Sequence, residues 1–544
     1  MRYFLTGLTL FSSLLCAQQI DSPGNFPDNT VALTATDVYN AINTAAHAVN
    51  STSMVIAVVD RQGNYLGVFH ETNAPATGIG NYSQVVNSDD LALALARTAA
   101  FFSNSDAPLS SRTVRFITGI HFPPTIMFTD ADGQYGIENT NRGCNFNTTF
   151  APNMAYPLSL TLDGKFGLGI LTGKKDIYDS DQTLVNPGGI PLYKGGRMVG
   201  GIGVTGVPGV VAEFAALVGS TQAPKPLQFI SIPAPGKVIA GGISLPFVDP
   251  NTLMGKQPQG TSPLPASVDL MTLGNWVPLP VLAPIGPHDR WSGKAPRTTL
   301  ATIQGPQDSP QPAPEGFLVT PKAGPLGGLS AADVMSIVQN AVATADQTRA
   351  VIRLPPGTKA RFVISVSDLD GQLLTVYRMR DSTIFSIDVS ITKSRNVIYF
   401  SGASSYGNRT DGDMPGVPMG TAVTNRTINF GSQPLYAPGI DHTAPGPFFQ
   451  SLFVFDTNNP CTQGAQVANP YQSGIVFFSG SVPLYRNGRI VGGLGVSGDG
   501  VDQDDFVSAA GAAGFEVPAS MRADQVLIRG NRLPYQKFPR NPTQ

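Results

Sequence analysis

Apolar residues recur at helical spacing in two distant stretches. In TATDVYNAINTAAHAV, Val38, Ile42, Ala45 and Val49 fall on one helical face. In SAADVMSIVQNAVATA, Val334, Val338, Ala341 and Ala345 do the same. Each stretch opens with a Ser/Thr-x-x-Asp capping signature, Thr34 with Asp37 and Ser330 with Asp333. Strand-like text follows each helix, MVIAVVDRQGNYLGVFH in one place and RFVISVSDLDGQLLTVYR in the other. An Asp-x-x-Gly turn splits each into two strands, Asp60 to Gly63 and Asp368 to Gly371. A second helical stretch comes next, LALALARTAAFFS or SIDVSITKSRNVIYFS.

A second hairpin then closes each series. PLYKGGRMVGGIGVTG (Pro191 to Gly206) returns as PLYRNGRIVGGLGVSG (Pro483 to Gly498), identical at 11 of 16 positions. Gly195-Gly196 and Asn487-Gly488 are two-residue loops suited to a type I′ turn. The strand after the turn carries a glycine pair, Gly200-Gly201 or Gly492-Gly493. Such a pair marks a bulge, or close approach by a helix or a ligand. A last helix spans roughly Val210 to Val218 and Asp502 to Ala513.

Both series read helix, hairpin, helix, hairpin, helix. Two-residue turns make the strands antiparallel neighbours, so the expected fold class is α+β. The chain is expected to hold two tandem domains, residues 28–219 and 329–530, each a small antiparallel sheet flanked by helices. A pseudo-twofold relation between them is the simplest arrangement. Residues 220–328 hold 20 of the 46 prolines and show little periodicity; they read as a linker strap over the surface. Long insertions, about Ala107 to Asn186 and Gly402 to Asn469, separate the repeated pieces.

Composition narrows the function. Only 13% of the 544 residues are charged and the net charge is −2, which argues against electrostatic nucleic-acid binding. The N-terminus pairs Arg2 with an apolar run from Phe4 to Leu15, as in a secretory signal peptide cleaved after Ala17 (residues 1–17). A lipoprotein anchor at Cys16 is the rival, disfavoured because the preceding Ser-Leu-Leu lacks the small residue such a site prefers. No later run is long and apolar enough for a membrane helix, so a periplasmic or secreted location is expected. Cleavage leaves Cys144 and Cys461, in NTNRGCN and NTNNPCT, which a pseudo-twofold would bring together as a disulfide.

Candidate chemistry is sparse. No Gly-x-Ser-x-Gly elbow, His-Glu-x-x-His, Walker loop or Cys-x-x-Cys pair occurs. GGIGVTG sits in a hairpin strand and lacks the βαβ context of a dinucleotide site. DADGQYGIE (Asp130 to Glu138) has the wrong glycine spacing for an EF-hand and reads as a surface turn. The acidic run Asp499 to Asp505 begins a helix, where carboxylates offset the macrodipole. Of the five histidines, His47 lies opposite the apolar face of its helix and His288 in the strap, both read as surface residues. His70 ends a strand beside a loop, and His121 and His442 lie in the insertions; these three suit either a structural hydrogen bond or an iron-ligand role. Tyr377 is a further axial candidate. The corners Thr205-Gly206 and Ser497-Gly498 suit an anionic group at a helix N-terminus or a tight helix-to-sheet contact.

The order of these pieces resembles the GlcG/HbpS-type family of small haem-binding or haem-degrading-like domains. The second series is the closer. FVISVSDLDGQLLTVYRMRDSTIFSIDVSITKSRNVIYFSG and RIVGGLGVSGDGVDQDD resemble the family's motifs at Arg378, Met379, Asp381, Ser386, Asp388, Lys393 and Ser497. The first series departs: by register His70 stands for Arg378, Asn73 for Asp381 and Arg97 for Lys393. The resemblance covers neither the insertions nor the strap.

It implies an exported protein that binds haem or a related tetrapyrrole for storage, sensing or scavenging. The alternatives are a structural or interaction module without ligand, and a haem-degrading enzyme; catalytic turnover is not the leading expectation. The implied site has Arg378 and Lys393 meeting propionates, with Gly492-Gly493 admitting a flat macrocycle. The first series offers His70 as a metal ligand with Arg97 and Gly200-Gly201 at the matching places. Oligomerisation through the duplicated domains is left open.

Overall fold

The computed structural model describes residues 31–79, 85–118, 187–221, 237–240, 243–280, 302–309 and 313–543, less 314, 439, 441, 459–461, 468, 470 and 478, with a short strand pair at 159–160 and 166–167. The first unit begins with α1 (Ala35–Ala48), whose capping box is closed by Thr34 and Asp37. β1 (Val55–Asp60) and β2 (Tyr65–Glu71) pair antiparallel. A small hairpin, β3 (Thr77–Ile79) and β4 (Val85–Asn87), leads into α2 (Ser88–Phe102). After α3 (Ser111–Thr118) come β5 (Gly189–Lys194), β6 (Arg197–Thr205) and α4 (Gly209–Gly219). Further on lie β7 (Ile239–Ala240), β8 (Ile243–Ser244), β9 (Gly274–Trp276) and β10 (Gly316–Val319).

The second unit repeats the scheme. α5 (Ala331–Ala345) carries the Ser330/Asp333 capping box. β11 (Phe362–Ser367) and β12 (Leu373–Arg378) lead into α6 (Phe385–Phe400). α7 (Asn425–Gly431), β13 (Ser481–Arg486), β14 (Arg489–Gly498) and α8 (Val501–Gly511) follow. A hairpin of β15 (Leu527–Ile528) and β16 (Asn531–Arg532) lies near the end.

The result is a mixed α+β structure with two five-stranded antiparallel sheets of matching order, β9-β2-β1-β6-β5 and β10-β12-β11-β14-β13. Strand alternation sorts side chains to two faces. In the first sheet Ile56, Val58 and Phe69 join the core under α1 and α4, while Val55, Ala57 and Val68 face α2. In the second, Ile364 and Val366 pack with α5 and α8. All residues of α6 are buried, because the sheet covers one side and other segments cover the rest.

The crossing helix touches the sheet backbone to backbone. A Cβ on Gly203 would stand 2.0 Å from the Ala92 carbonyl oxygen, and one on Gly495 2.0 Å from that of Ser390. Both turns have positive φ at both central residues, Gly195 and Gly196 at 57° and 75°, Asn487 and Gly488 at 52° and 74°, as a type I′ hairpin requires.

The linker does more than pass over the surface. β9 pairs with β2 and β10 with β12, so it supplies the outermost strand of each sheet. This covers edges that would otherwise offer unpaired backbone groups. Its first part also behaves as a piece of the first unit. Ser110 and Thr113 donate to the carbonyls of Phe247 and Pro246, as Thr424 and Thr427 donate to those of Tyr535 and Pro534. Leu245 N–H bonds Val238 O as Leu533 N–H bonds Val526 O. The hairpins β7–β8 and β15–β16 are thus counterparts, and the repeated pattern runs past residue 219 to about residue 247.

The two units share a core, but they meet through unlike patches. Phe102 at the end of α2 stacks on Phe385 at the start of α6, centroids 4.2 Å apart, and Ile384 N–H bonds Phe101 O at 3.1 Å. Asp381 is the hub: Arg61 Nη1 reaches its Oδ1 at 2.7 Å, Arg353 Nη1 its Oδ2 at 2.9 Å, and Ser105 donates to it from N and Oγ, each at 2.9 Å. Arg353 also binds Asp106 and Asp499. A pseudo-twofold would bury the equivalent residues of the other unit in the same way. Instead Asn73, matching Asp381, and Asn87, matching Phe385, are exposed, and Phe400, matching Phe102, packs in an aromatic cluster of its own unit. The contact is therefore head to tail, and the expectation of a pseudo-twofold is corrected. Part of the reason is the loop between α5 and β11, longer than its counterpart, which carries Arg353 into the junction.

Gly495→Ala should force the helix off the sheet and destabilise the protein by about 2 kcal/mol or more, the scale of overpacking a tight core. Urea unfolding of the variant against wild type, read by circular dichroism, measures this; an unchanged midpoint would contradict the contact.

Candidate functional site

Helix and strand contacts fix which residues correspond between the units. Ala92 and Ala96 oppose Gly203 and Gly201 as Ser390 and Ser394 oppose Gly495 and Gly493. Val55 pairs His70 as Val363 pairs Arg378. His70 therefore does stand where Arg378 stands. Arg97, however, matches Arg395 and not Lys393: Arg97 Nε donates to Gly63 O at 2.8 Å and Arg395 Nε to Gly371 O at 2.9 Å. The β3–β4 hairpin inserted before α2 displaces the register that sequence counting gives. Lys393 corresponds to Leu95.

Arg378 and Lys393 are not presented to a ligand. Arg378 is fully buried, donating from Nε to Ser382 O at 3.0 Å, with Glu315 3.8 Å from Nη1. Burial, then the neighbouring Arg61, pulls its guanidinium below the usual arginine range. Lys393 is fully buried too, donating to Asp504 Oδ2 at 2.8 Å and Val496 O at 2.7 Å. Tyr377 lies on the opposite sheet face, edge-on to Phe317 in the core under α5.

The glycine pairs are likewise accounted for by protein contacts. A Cβ on Gly201 or Gly493 would stand 2.2 or 2.1 Å from the carbonyl of Ala96 or Ser394. On the other face, a Cβ on Gly200 or Gly492 would stand 2.2 or 2.8 Å from the carbonyl oxygen of Val59 or Ser367. These close approaches leave the macrocycle nothing to enter at those positions.

The second unit is a polar version of the first. Ser365 Oγ bonds Ser390 Oγ at 2.7 Å and Ser367 Oγ bonds Ser394 Oγ at 2.5 Å, where the first unit has Ala57, Ala92, Val59 and Ala96. Likewise the Lys393–Asp504 pair replaces Leu95 and Ala212. Gly188 faces Ala212 and Leu95, as Gly480 faces Asp504 and Lys393. One ion pair is kept in both: Arg112 with Glu213, and Arg426 with Asp505. The acidic run thus does more than face a helix dipole, since Asp504 and Asp505 are buried and paired. Burial pushes the Asp504 carboxyl up to about 7, against the pull of Lys393.

His70 is the contrasting case. It is next to last in β2, its side chain 34% exposed, and one ring nitrogen, Nε2, bonds Asp89 in the first turn of α2. Asn275 of the linker strand pairs with it in the sheet. Ser88 Oγ, buried beside Asp89, has no hydrogen-bond partner. Neither Ser88 nor Asp89 stands out in the sequence, since both precede the apolar run that begins at Leu91.

His47 is not a solvated residue: Nδ1 meets Asn43 O at 2.7 Å and Nε2 meets Val268 O at 2.9 Å, anchoring the linker. His442 is exposed in a loop at φ 61°. His121, His288, Cys144 and Cys461 lie outside the described residues. Among the described residues no group of three or more His, Cys, Asp or Glu is placed to hold a metal ion.

Two measurements check the buried pair. Lys393→Leu alone strands Asp504 in the core and should cost about 3–5 kcal/mol, whereas Lys393→Leu with Asp504→Ala, which copies the first unit, should be near neutral or stabilising. Equilibrium unfolding of the three proteins separates these outcomes. The carboxyl of Asp504 ordinarily titrates at 3.8 and is raised in the fold, so the native state binds the extra proton between there and about 7. Its contribution is fully present at low pH and is lost as pH rises through that window. The double variant should show a shallower fall in stability between about pH 4 and 7 than wild type.

No curated protein matches the chain. A solved PduOC:heme complex is 19% identical, over 35% of this chain and 96% of that one, with a TM-score of 0.23. The Klebsiella pneumoniae protein ORFY is 17% identical, over 34% and 90%, also at 0.23. Residues 329–513, which span the second unit from its first helix to its last, match the model of the family described as haem degrading protein HbpS-like.

Proposed function

We propose that this is an exported haem-binding protein that stores, senses or scavenges the ligand. The observation that carries the reading is the match of residues 329–513 to the HbpS-like haem-degrading family. A donor suited to iron lies outside the matched residues, in the first unit. His70 is a half-buried imidazole at a strand end, braced by a carboxylate, which is the arrangement that orients a histidine toward a metal. Bound haem would supply a redox-active iron there, and His70 would hold it. Arg378 and Lys393 do not fit the part of propionate partners, since both are buried on internal acceptors.

Export is inferred from Arg2 and the apolar run Phe4 to Leu15, with no helix among the described residues long and apolar enough to cross a membrane. The matched strand orders and matched glycine contacts support reading the chain as an internal duplication. Its first unit would then extend to about residue 247, with the linker proper beginning after it.

A second reading is an interaction module without ligand. It is favoured by the closed polar core of the second unit, where Ser365–Ser390, Ser367–Ser394 and Lys393–Asp504 satisfy one another.

Titration of the purified protein with haemin, followed by absorbance, decides between them. A saturable, shifted Soret band is expected; a spectrum identical to free haemin would favour the interaction module.

A further inference from the structure

We infer that the corner of the second unit, where β12 and β14 end and α6 begins, is a docking seat for protein and not a haem site, with the first unit of the same chain as its fixed occupant. This rests on the interaction reading, confined to the second unit, and adds the partner. It stands whether or not haem binds elsewhere in the chain.

The seat recognises an arginine, a hydroxyl and an aromatic ring. Arg61, on the turn after β1, donates from Nη1 to Asp381 Oδ1 at 2.7 Å. Ser105 adds two bonds to the same carboxylate. Phe102 lies nearly flat on Phe385, the ring planes 15° apart. The backbones join as well, since Ile384 N–H bonds Phe101 O. Asp381 keeps a left-handed backbone, φ 58°, although it is not a glycine. Such a conformation persists where its surroundings over-determine it.

Each recognising residue occurs only on the face that uses it. In the second unit Leu369 and Ala403 stand where Arg61 and Ser105 stand, and Phe400 packs into its own unit's aromatic cluster. In the first unit Asn73 and Asn87 stand for Asp381 and Phe385. Two copies of one frame have become complementary rather than alike. That makes one arrangement specific and excludes the others.

The same contacts leave haem no footing. Among the described residues, Arg61, Arg353 and Arg378 are the cations at the seat, and they already face Asp381, Asp106, Asp499 and Glu315. A propionate brought here would meet these carboxylates and would have to displace one from its cation. A macrocycle would also have to take the place of Phe102 on Phe385. Those rings belong to a core cluster that runs through both units, from Phe101, Ala107 and Leu109 to Ile384, Ile387 and Ile391. Apolar continuity of this kind fixes two units together, unlike the polar contacts across which domains move. The disagreement between the family match and this lining is therefore physical: the matched residues fold around a protein partner.

Hydrogen exchange of the intact chain, read by mass spectrometry with and without haemin, tests this. In wild type, residues 379–388 should exchange as slowly as β11, and haemin should change neither this segment nor residues 99–107. Two variants weaken the contact: Arg61→Leu, which copies Leu369, and Arg61→Leu with Phe102→Ala. Exchange at 379–388 should quicken in both, by roughly tenfold in the double variant, the scale of losing an ionic and an aromatic anchor. Haemin stoichiometry, read by absorbance, should stay that of wild type. Fast exchange at 379–388 in wild type, or unchanged exchange in the variants, would overturn the seat. A haemin-dependent change at 379–388 in wild type, or an added equivalent of haemin in a variant, would reveal a masked haem site and overturn the exclusion. If the double variant does not fold, wild type and the single variant still decide. Absence of haemin binding by wild type would overturn the haem reading alone, and the exchange rates would then judge the seat.

Discussion

The contact of helix backbone on strand backbone governs this molecule. Where Gly203 meets Ala92 and Gly495 meets Ser390, no side chain separates the two layers. That pins the crossing helix to one height on the sheet. Its first turn then has to lie beside the ends of β2 and β6, or β12 and β14. Whatever stands at those strand ends, His70 or Arg378, meets the helix start as a consequence. Gly201 and Gly493, which sequence reading offered to a ligand, make the same kind of contact one turn further along the helix, against Ala96 and Ser394.

From one frame the two units have diverged in how they fill it. The first closes its helix–sheet seam with Ala57, Ala92 and Ala96, the second with serine pairs and a buried lysine–aspartate pair. Alanine contacts are tolerant of small shifts. Hydrogen-bonded and ionic contacts are not, because a buried partner left alone costs far more than a lost methyl contact. The second unit is accordingly the more exacting of the two. It is also the one whose corner receives the other unit, through Asp381 in its left-handed conformation (φ 58°). Burial would raise that carboxyl, yet Arg61 and Arg353 hold it well below the usual range.

Much of the architecture was legible because it is local. Capping boxes, type I′ turns and helical periodicity specify themselves within a few residues, and all of them appear where the sequence places them. What depends on distant partners was not. Arg97 was matched to Lys393 because counting along the chain cannot see that β3–β4 is an extra hairpin. His47 looked solvated because its acceptor, Val268, is far away in a proline-rich segment with no periodicity of its own. The candidate cations Arg378 and Lys393 were the right residue types for an anionic ligand, but burial and internal acceptors, which no short window reveals, consume them. Head-to-tail packing is equally invisible to a repeat comparison, which records likeness and not which patch faces which.

The linker strands carry a consequence for how the protein is made. β9 completes the first sheet but lies beyond β6 and α4, and β10 precedes every other element of the second sheet. A chain leaving the ribosome therefore exposes the first sheet's outer edge until residues 274–276 emerge. The second sheet has its border strand already in hand before its first hairpin is synthesised. Vectorial synthesis thus leaves one unit waiting for its edge and gives the other its edge in advance.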